Sequence, residues 1–249
     1  MKLIVSTAIV FQLLYSALDL LLMPLAVVLA EAVGGTLDNF VAVSNEAALD
    51  HLRLWVGNPL RSPVPTFLWG EGGSGKSHLL RAVREALREH GGRVGWLDAQ
   101  TLHPAEYDEH WEVVLLDDVH LYTAEQQAAA FNWFVNAQTP AHGPARWVLA
   151  AADRPPADLQ LREDLRTRLG WGHVFQLHAL GETERRAVLR RAADERGVFL
   201  SDEVMDFMLT RFSRDLSSLM MLLDQLDAYA LRTQRAITIP LIKSMLENE

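Results

Sequence analysis

Hydrophobic positions along the chain follow two patterns, and the change lies near residue 180. Before that point, short apolar runs that predict buried strands alternate with amphipathic stretches that predict helices. The five predicted strands cover residues 66–69, 93–97, 113–116, 147–151 and 173–177. Because strands that are separated by helices pair in parallel, this order predicts an α/β domain built on a five-stranded, mostly parallel sheet.

Helices are predicted between these strands over residues 77–90 and 126–134. After residue 180 the strand pattern ceases, while the amphipathic period of a helix continues. Four helices are predicted in this last part, over residues 182–196, 203–212 and 215–233 and from about Thr238 onward. We therefore expect an α/β domain over residues 36–180, followed by a small all-α domain over residues 181–249.

An apolar extension over residues 1–35 precedes the α/β domain. It carries no charge from Leu3 to Leu18. Asp19 and Pro24 interrupt the run before it reaches the roughly 20 apolar residues that a membrane helix requires. Three interpretations stay open for this extension: a membrane or signal segment, an interaction tail, and an upstream start that is not part of the fold.

Composition and charge exclude several classes of function. The 249 residues carry a formal net charge of −9, whereas a protein that holds nucleic acid mainly through its phosphates is normally basic. Autonomous DNA binding is therefore disfavoured. The absence of cysteine excludes disulfides, zinc–cysteine sites and thiol chemistry. The nine histidines show no H-E-x-x-H or similar spacing, so no metal other than Mg²⁺ is expected.

The strongest chemical signal is a glycine-rich segment that fits G-x-x-x-x-G-K-[ST] between a predicted strand and a predicted helix. Its glycines let backbone N–H groups converge on phosphate oxygens, and the helix adds the positive end of its dipole. Lys76 is expected to reach the β- and γ-phosphates of ADP or ATP, and Ser77 to coordinate Mg²⁺. The candidate nucleotide-binding residues are Gly70, Gly72, Gly73, Ser74, Gly75, Lys76, Ser77, His78 and Asp117.

A second motif follows about forty residues later, where the apolar strand 113–116 delivers two carboxylates at its end. Asp117 is expected to hold Mg²⁺ through water, and Asp118 to orient or activate the attacking water. Many proteins with this motif have glutamate at the second position, and aspartate is one methylene shorter. We therefore expect slow hydrolysis, which suits a nucleotide switch better than a motor.

Three further segments resemble the DnaA family of bacterial replication initiators, whose members are AAA+ ATPases. Residues 150–156 are similar to the family's sensor-1 segment, and residues 164–172 to its arginine-finger segment. Residues 36–41 with Ser44-Asn45 resemble the segment that leads into its adenine pocket. The resemblance runs from about Thr36 to the end of the chain and implies an AAA+ nucleotide-binding domain with a helical lid.

Residues 223–227 and 237–243 resemble the ending of the Hda family, whose members are DnaA homologues. No room is left after them for the initiator's DNA-binding domain. This resemblance implies a cytoplasmic regulator that binds ADP or ATP. Together with the DNA-loaded sliding clamp, it would stimulate hydrolysis of ATP bound to the initiator DnaA, contacting DNA only indirectly. The family's clamp-docking peptide is matched weakly, by Gln12 in the segment 11–15.

The resemblance also implies roles for single residues. Asp153 takes the sensor-1 position, Arg168 the arginine finger that acts on a neighbouring subunit, and Arg214 the sensor-2 position that contacts phosphate in the same subunit. Each has a simpler interpretation, namely a turn cap for Asp153, an exposed basic helix face for Arg168 and a solvated surface residue for Arg214.

Two alternative functions stay open beside a regulator with weak or no ATPase activity of its own. The first is an AAA+ ATPase that works by its own turnover as a loader or remodeller at the replication origin. The second is a nucleotide-binding module tethered to a membrane by residues 3–30. Because ATP is a cytosolic ligand, export is disfavoured and no stable membrane insertion is expected. Self-association into a homo-oligomer is left open.

Overall fold

The computed structural model describes residues 36–38, 40–58, 62–212 and 216–247. Within them, five strands form one parallel sheet with the spatial order β2-β3-β4-β1-β5. The strands are β1 (Thr66–Trp69), β2 (Val94–Leu97), β3 (Val113–Leu116), β4 (Trp147–Ala152) and β5 (His173–Gln176). The predicted α/β fold with a five-stranded parallel sheet is therefore confirmed, and strand ends differ from prediction by at most one residue.

Burial along the strands follows their place in the sheet. β3 and β4 are central and every one of their residues is buried, as expected for parallel strands that helices cover on both faces. β5 lies at one edge, where His173, Val174 and Gln176 are exposed and Phe175 is half-buried. The continuous apolar runs in the sequence thus mark the centre of the sheet.

In the described part of the chain, four helices accompany the sheet, and their bounds are α1 (Glu46–Gly57), α2 (Lys76–Glu89), α3 (Ala124–Gln138) and α4 (Glu163–Leu169). α2 begins and ends one residue earlier than predicted. α3 extends beyond the prediction at both ends. Its earlier start is explained by a capping box of Thr123 and Gln126, in which each side chain accepts a hydrogen bond from the other residue's backbone N–H. α1 and α4 were not predicted.

Two apolar layers cover the faces of the sheet. On one face, Val114 and Leu116 pack in a cluster that includes Phe134 of α3 and Leu165 of α4. On the other face, Val113 and Leu115 pack in a cluster with residues of α1 and α2; the helix residues are Ala48, Leu49, Leu52, Trp55, Leu79, Leu80, Val83 and Leu87. Successive residues of β3 therefore serve opposite faces, which is the two-residue period of a strand.

Four helices follow the sheet, with the bounds α5 (Glu182–Glu195), α6 (Asp202–Arg211), α7 (Leu216–Thr233) and α8 (Ile239–Glu247). They enclose an apolar cluster of their own, in which Leu189, Met205, Leu223 and Leu241 are almost fully buried. The predicted helical lid is confirmed. Thr238 caps α8 as expected, since its hydroxyl accepts a hydrogen bond from the backbone N–H of Leu241 at 3.4 Å.

No helix in the described part of the chain has both the length and the apolar character needed to cross a bilayer. Two predictions fall outside the described residues. These are the apolar extension over residues 1–35, including Gln12, and the sensor-2 position of Arg214.

Candidate nucleotide site and arginine surface

The candidate phosphate-binding residues meet at one edge of the sheet. The phosphate loop follows β1, Asp117 follows β3, and Asp153 follows β4. These three strands are neighbours in the order β3-β4-β1, and because they are parallel their carboxyl ends share one edge. We call the phosphate edge the loop from Gly70 to Ser77 together with Asp117, Asp118 and Asp153.

Two glycines in the loop are required by its geometry. A Cβ atom on Gly70 would lie 2.1 Å from the carbonyl oxygen of Leu177, so the loop approaches the end of β5 too closely for any side chain. Gly75 has φ +91°, a left-handed conformation, and a Cβ there would also meet the ring of Phe40 at 2.5 Å. The loop is thus formed by close backbone approach, as a phosphate cradle requires.

Lys76 begins α2 and is buried, with 7% of its surface exposed. Its Nζ donates hydrogen bonds to the carbonyl oxygens of Gly70 at 2.8 Å and Glu71 at 2.9 Å, and to Ser74 Oγ at 3.4 Å. Burial lowers the pKa of the ammonium group, and the carboxylates of the phosphate edge act in the opposite direction. The loop therefore holds a buried ammonium group whose charge is favoured by the carboxylates of the phosphate edge.

Asp117 is 3% exposed, and its backbone N–H donates to the carbonyl oxygen of Leu97 at 2.9 Å. Burial raises the pKa of its carboxyl to about 6, and the charge of Asp118 adds to the rise, while a hydrogen bond from Ser77 works against it. Asp118 has φ +49° and donates its backbone N–H to Asp117 Oδ1 at 3.1 Å. A carboxylate and a hydroxyl in contact are the oxygen ligands that Mg²⁺ prefers.

Asp153 lies at the phosphate edge but is engaged by its neighbour in sequence. Arg154 donates to its two carboxylate oxygens at 3.0 and 2.7 Å, and this pairing lowers the pKa of Asp153. His120 was missed by sequence reasoning. Its Nδ1 is buried without a hydrogen-bond partner, 3.9 Å from Asp153 Oδ1. Its place two residues after Asp118 was the available signal.

The segment that resembles the approach to an adenine pocket lies beside the start of α2. The ring of Phe40 lies 5.7 Å from that of His78, whose Nε2 donates to the carbonyl oxygen of Thr36 at 3.2 Å. Burial lowers the pKa of His78. Asn45 is bonded twice to the backbone of His178, once as donor at 2.9 Å and once as acceptor at 2.8 Å. This pair ties the segment to the end of the sheet.

Arg168 lies in the last turn of α4, and its contacts are with aromatic rings. Its guanidinium carbon is 5.2 Å from the ring centre of Phe131 and 5.1 Å from that of Trp171. Arg162 lies 5.0 Å from the same Phe131 ring. These four residues form what we call the arginine surface, and an open cavity of about 590 Å³ adjoins it, lined by Arg162, Glu163, Asp164, Thr167, Arg168 and Trp171.

Comparison with known proteins identifies the relatives of this chain. A family profile described as "Hda, lid domain" matches residues 182–246. An uncharacterized protein of Haemophilus influenzae is 36% identical over 222 residues, which cover 85% of this chain and 93% of that protein.

Solved structures of DnaA share the fold. Domain III of the replication initiation protein DnaA from Thermotoga maritima superposes with a TM-score of 0.67 at 22% identity, covering 87% of this chain and 97% of that one. AMPPCP-bound DnaA from Aquifex aeolicus gives a TM-score of 0.61 at 22% identity, covering 80% of this chain and 67% of that one.

The two kinds of comparison support different conclusions. The structural likeness shows the fold, an AAA+ domain followed by a helical lid. The sequence match to the relative and the match of the lid profile show the family. This chain belongs to the Hda-like, DnaA-homologous AAA+ proteins.

Proposed function

We propose that the protein is a cytoplasmic regulator that binds ADP or ATP at its phosphate edge and presents Arg168 to ATP held by the initiator DnaA. Together with the DNA-loaded sliding clamp, it would stimulate hydrolysis of that ATP and so restrain initiation of DNA replication. The observation that carries the proposal is the state of Arg168. Its guanidinium lies on two rings, and no carboxylate pairs with it within the residues that the structure describes.

The residues of the phosphate edge fit a magnesium-bound adenine nucleotide. The cradle that a Cβ on Gly70 would fill, the buried ammonium of Lys76, and the paired oxygens of Ser77 and Asp117 are the required parts. Bound Mg²⁺ would supply positive charge that neutralises phosphate oxygens. The solved DnaA with AMPPCP shows that a protein of this fold binds an adenine nucleotide analogue.

The remaining residues of the phosphate edge are proposed to sense the bound nucleotide. Asp118 would orient water, and Asp153 would respond to the γ-phosphate once it separates from Arg154. Arg214 would contact phosphate from the lid, although it lies outside the described residues. Because Asp118 is shorter than glutamate, we propose that turnover of the chain's own ATP is slow and that this nucleotide mainly fixes the conformation.

An arginine supplied by a second subunit accelerates nucleotide hydrolysis by roughly 10³–10⁵ because it neutralises charge that develops on the transferred phosphoryl group. Its guanidinium presents five N–H donors in a planar fork that matches phosphate oxygens. Arg168 would deliver this charge to the initiator's nucleotide. The clamp contact would depend on the segment around Gln12, outside the described residues.

The test measures ATP hydrolysis by ATP-loaded DnaA with DNA-loaded clamp and either wild-type protein or Arg168→Ala. We expect Arg168→Ala to lose stimulation while it keeps nucleotide and partner binding. Arg162→Ala is the matched control, because Arg162 shares the Phe131 ring but is ion-paired with Asp164 at 2.6 Å. Full stimulation by Arg168→Ala would show that the finger assignment is wrong.

The second candidate is an ATPase that works by its own turnover, and the meeting of Asp118 and Asp153 beside Lys76 favours it. Its test is ATP turnover by the chain alone. Lys76→Ala would abolish such turnover, whereas Lys243→Ala, on the exposed face of α8, would leave it unchanged. Rapid turnover of this kind would favour the ATPase, and negligible turnover would favour the regulator.

A further inference from the structure

Two arginines contact one aromatic ring but are held differently. The guanidinium carbon of Arg162 lies 5.0 Å from the centre of Phe131, and that of Arg168 lies 5.2 Å from it. Arg162 also donates to both carboxylate oxygens of Asp164, at 2.7 and 2.6 Å. Arg168 instead contacts a second ring, Trp171, at 5.1 Å. One arginine is therefore neutralised by a carboxylate and the other is held by rings.

Contact with rings leaves the hydrogen-bonding groups of an arginine available. The negative face of an aromatic ring attracts a guanidinium through its quadrupole and uses none of its five N–H donors. A bidentate carboxylate, by contrast, uses two of the donors and cancels the charge. Among the described residues, the guanidinium of Arg168 thus contacts rings while its charge and its N–H donors have no carboxylate partner, so they are available to a phosphate group.

The two rings belong to parts of the chain that are suited to hold a side chain. Phe131 lies on α3 and packs against the buried cluster beneath the sheet. Trp171 lies two residues after the end of α4, and its backbone N–H donates to the carbonyl oxygen of Arg168 at 3.0 Å. Trp171 is 49% exposed, so one side of the indole faces solvent beside the finger. The guanidinium of Arg168 therefore contacts one ring that packs on the core and one that is half exposed.

We infer that Phe131 and Trp171 are positioning residues, which orient Arg168 toward the phosphate of ATP bound by a neighbouring AAA+ subunit. This inference rests on the proposed function. A free arginine side chain has many rotamers, and it loses that freedom when it docks on a ligand. Rings that hold the arginine in one rotamer beforehand reduce this entropic cost. We therefore expect the rings to raise the rate of the catalysed step and to leave the affinity between the subunits unchanged.

The test uses the full chain with ATP-loaded DnaA and DNA-loaded clamp, and measures stimulated hydrolysis as a function of protein concentration. Trp171→Ala and Phe131→Leu are each expected to lower the maximal rate by roughly twofold to fivefold. The concentration for half-maximal stimulation should not change. Trp171→Phe should restore most of the rate. Phe199→Ala is the control, because Phe199 is an aromatic residue of the lid that is 80% exposed.

A second measurement reads the geometry without any partner. A guanidinium close to aromatic rings has side-chain NMR signals displaced by ring currents, so the Arg168 signals should move toward ordinary values in Trp171→Ala. Thermal unfolding of each variant shows whether the fold is kept. Unchanged Arg168 signals together with an unchanged maximal rate would overturn the inference.

The remaining outcomes separate positioning from docking and from failure of the proposed function. A raised half-maximal concentration with an unchanged maximal rate would make Trp171 a docking contact and overturn the positioning role. If Arg168→Ala keeps full stimulation, the proposed function fails, and with it the catalytic purpose of the two rings. If Arg168→Ala loses stimulation but both ring variants keep it, the positioning inference alone fails.

Discussion

The phosphate edge and the arginine surface each contain a positively charged side chain, but the two side chains differ in burial and in hydrogen bonding. At the phosphate edge, Lys76 is 7% exposed and bonded to two carbonyl oxygens and a hydroxyl of its own loop. At the arginine surface, Arg168 is half-buried and contacts two rings, and no ion pair of it is found in the part of the chain that the structure describes. The ammonium group of Lys76 is thus enclosed by its own loop, whereas the guanidinium of Arg168 remains available to a partner molecule.

This difference is the one expected between a proposed binding site and a residue proposed to act on another molecule. A buried charge is costly unless hydrogen bonds or opposite charges surround it, so the phosphate edge is tightly constrained in the free protein. A charge near the surface keeps part of its hydration and needs no such partners. We therefore expect substitutions at the phosphate edge to change the stability of the free protein, and those at the arginine surface to change mainly its action on a partner.

The largest expected effect is at the closest backbone approach of the phosphate edge. Gly70→Ala would place a Cβ 2.1 Å from the carbonyl oxygen of Leu177, so the backbone must shift. We expect the free energy of unfolding to fall by about 3 kcal/mol, a cost typical of overpacking. Urea unfolding measures it. Gly72→Ala is the control, since a Cβ there meets nothing within 4 Å, and equal losses in both variants would contradict the steric argument.

Asp117→Asn is expected to raise the free energy of unfolding of the nucleotide-free protein, whereas Gly70→Ala lowers it. Because the pKa of Asp117 is raised from 3.8 to about 6, the folded state binds more protons than the unfolded state between these values. Stability of the nucleotide-free protein therefore falls as the pH rises through this window. Above pH 6 the ionised carboxylate costs about 3 kcal/mol.

The asparagine variant should remove most of that cost at pH 7.5 and flatten the stability profile between pH 4 and 6, while it loses Mg²⁺-dependent nucleotide binding. Urea unfolding at a series of pH values measures the first effect, and nucleotide binding with and without Mg²⁺ measures the second. The same slope in both proteins would show that another group is responsible.

Asn45→Ala should weaken the connection between the segment before α1 and the end of the sheet. The substitution removes two hydrogen bonds and leaves the backbone groups of His178 without this partner. We expect a loss of about 1–3 kcal/mol in urea unfolding. Asn136→Ala serves for comparison, because Asn136 is bonded within its own helix to Asn132 and is half-buried. If Asn45→Ala lost no more stability than Asn136→Ala, Asn45 would not link the segment before α1 to the sheet.

The smallest expected effect on stability is at the arginine surface. Arg168→Ala removes contacts with two rings and breaks no ion pair known in the described residues, so the free energy of unfolding should change by less than about 1 kcal/mol. Thermal and urea unfolding test this. A loss of several kcal/mol would mean that Arg168 is a structural residue, and the contrast between the two regions would disappear.

Sequence pattern predicted the three inner strands of the sheet well, because β1, β3 and β4 are buried at nearly every position. Residues 66–69 and 113–116 are apolar without interruption or nearly so, and both segments form strands at the predicted bounds. The glycine-rich loop between β1 and α2 was also placed correctly, because its motif is contiguous in the sequence. Features that are set by residues adjacent in sequence can therefore be predicted from the sequence.

Elements whose signals depend on distant residues were missed. α1 begins after Asn45, a residue that commonly caps helices, yet its side chain makes no capping bond because it is bonded to His178. α4 has seven residues, too few for a clear amphipathic period. His120 had only one sequence signal, its place two residues after Asp118, because its unpartnered Nδ1 comes near Asp153 only through the pairing of β3 with β4.

The sequence by itself determined the five strands, the helices of the lid, the glycine-rich loop after β1 and the carboxylates at the end of β3, because each depends on residues that are close in the chain. The tertiary structure alone decided which charged side chains are paired within the protein and which remain available to a partner. Arg162 and Arg168 are six residues apart and chemically identical, but Asp164 neutralises the first while Phe131 and Trp171 hold the second. The physical reason is that ion pairs and ring contacts depend on distance in space, which no local pattern records.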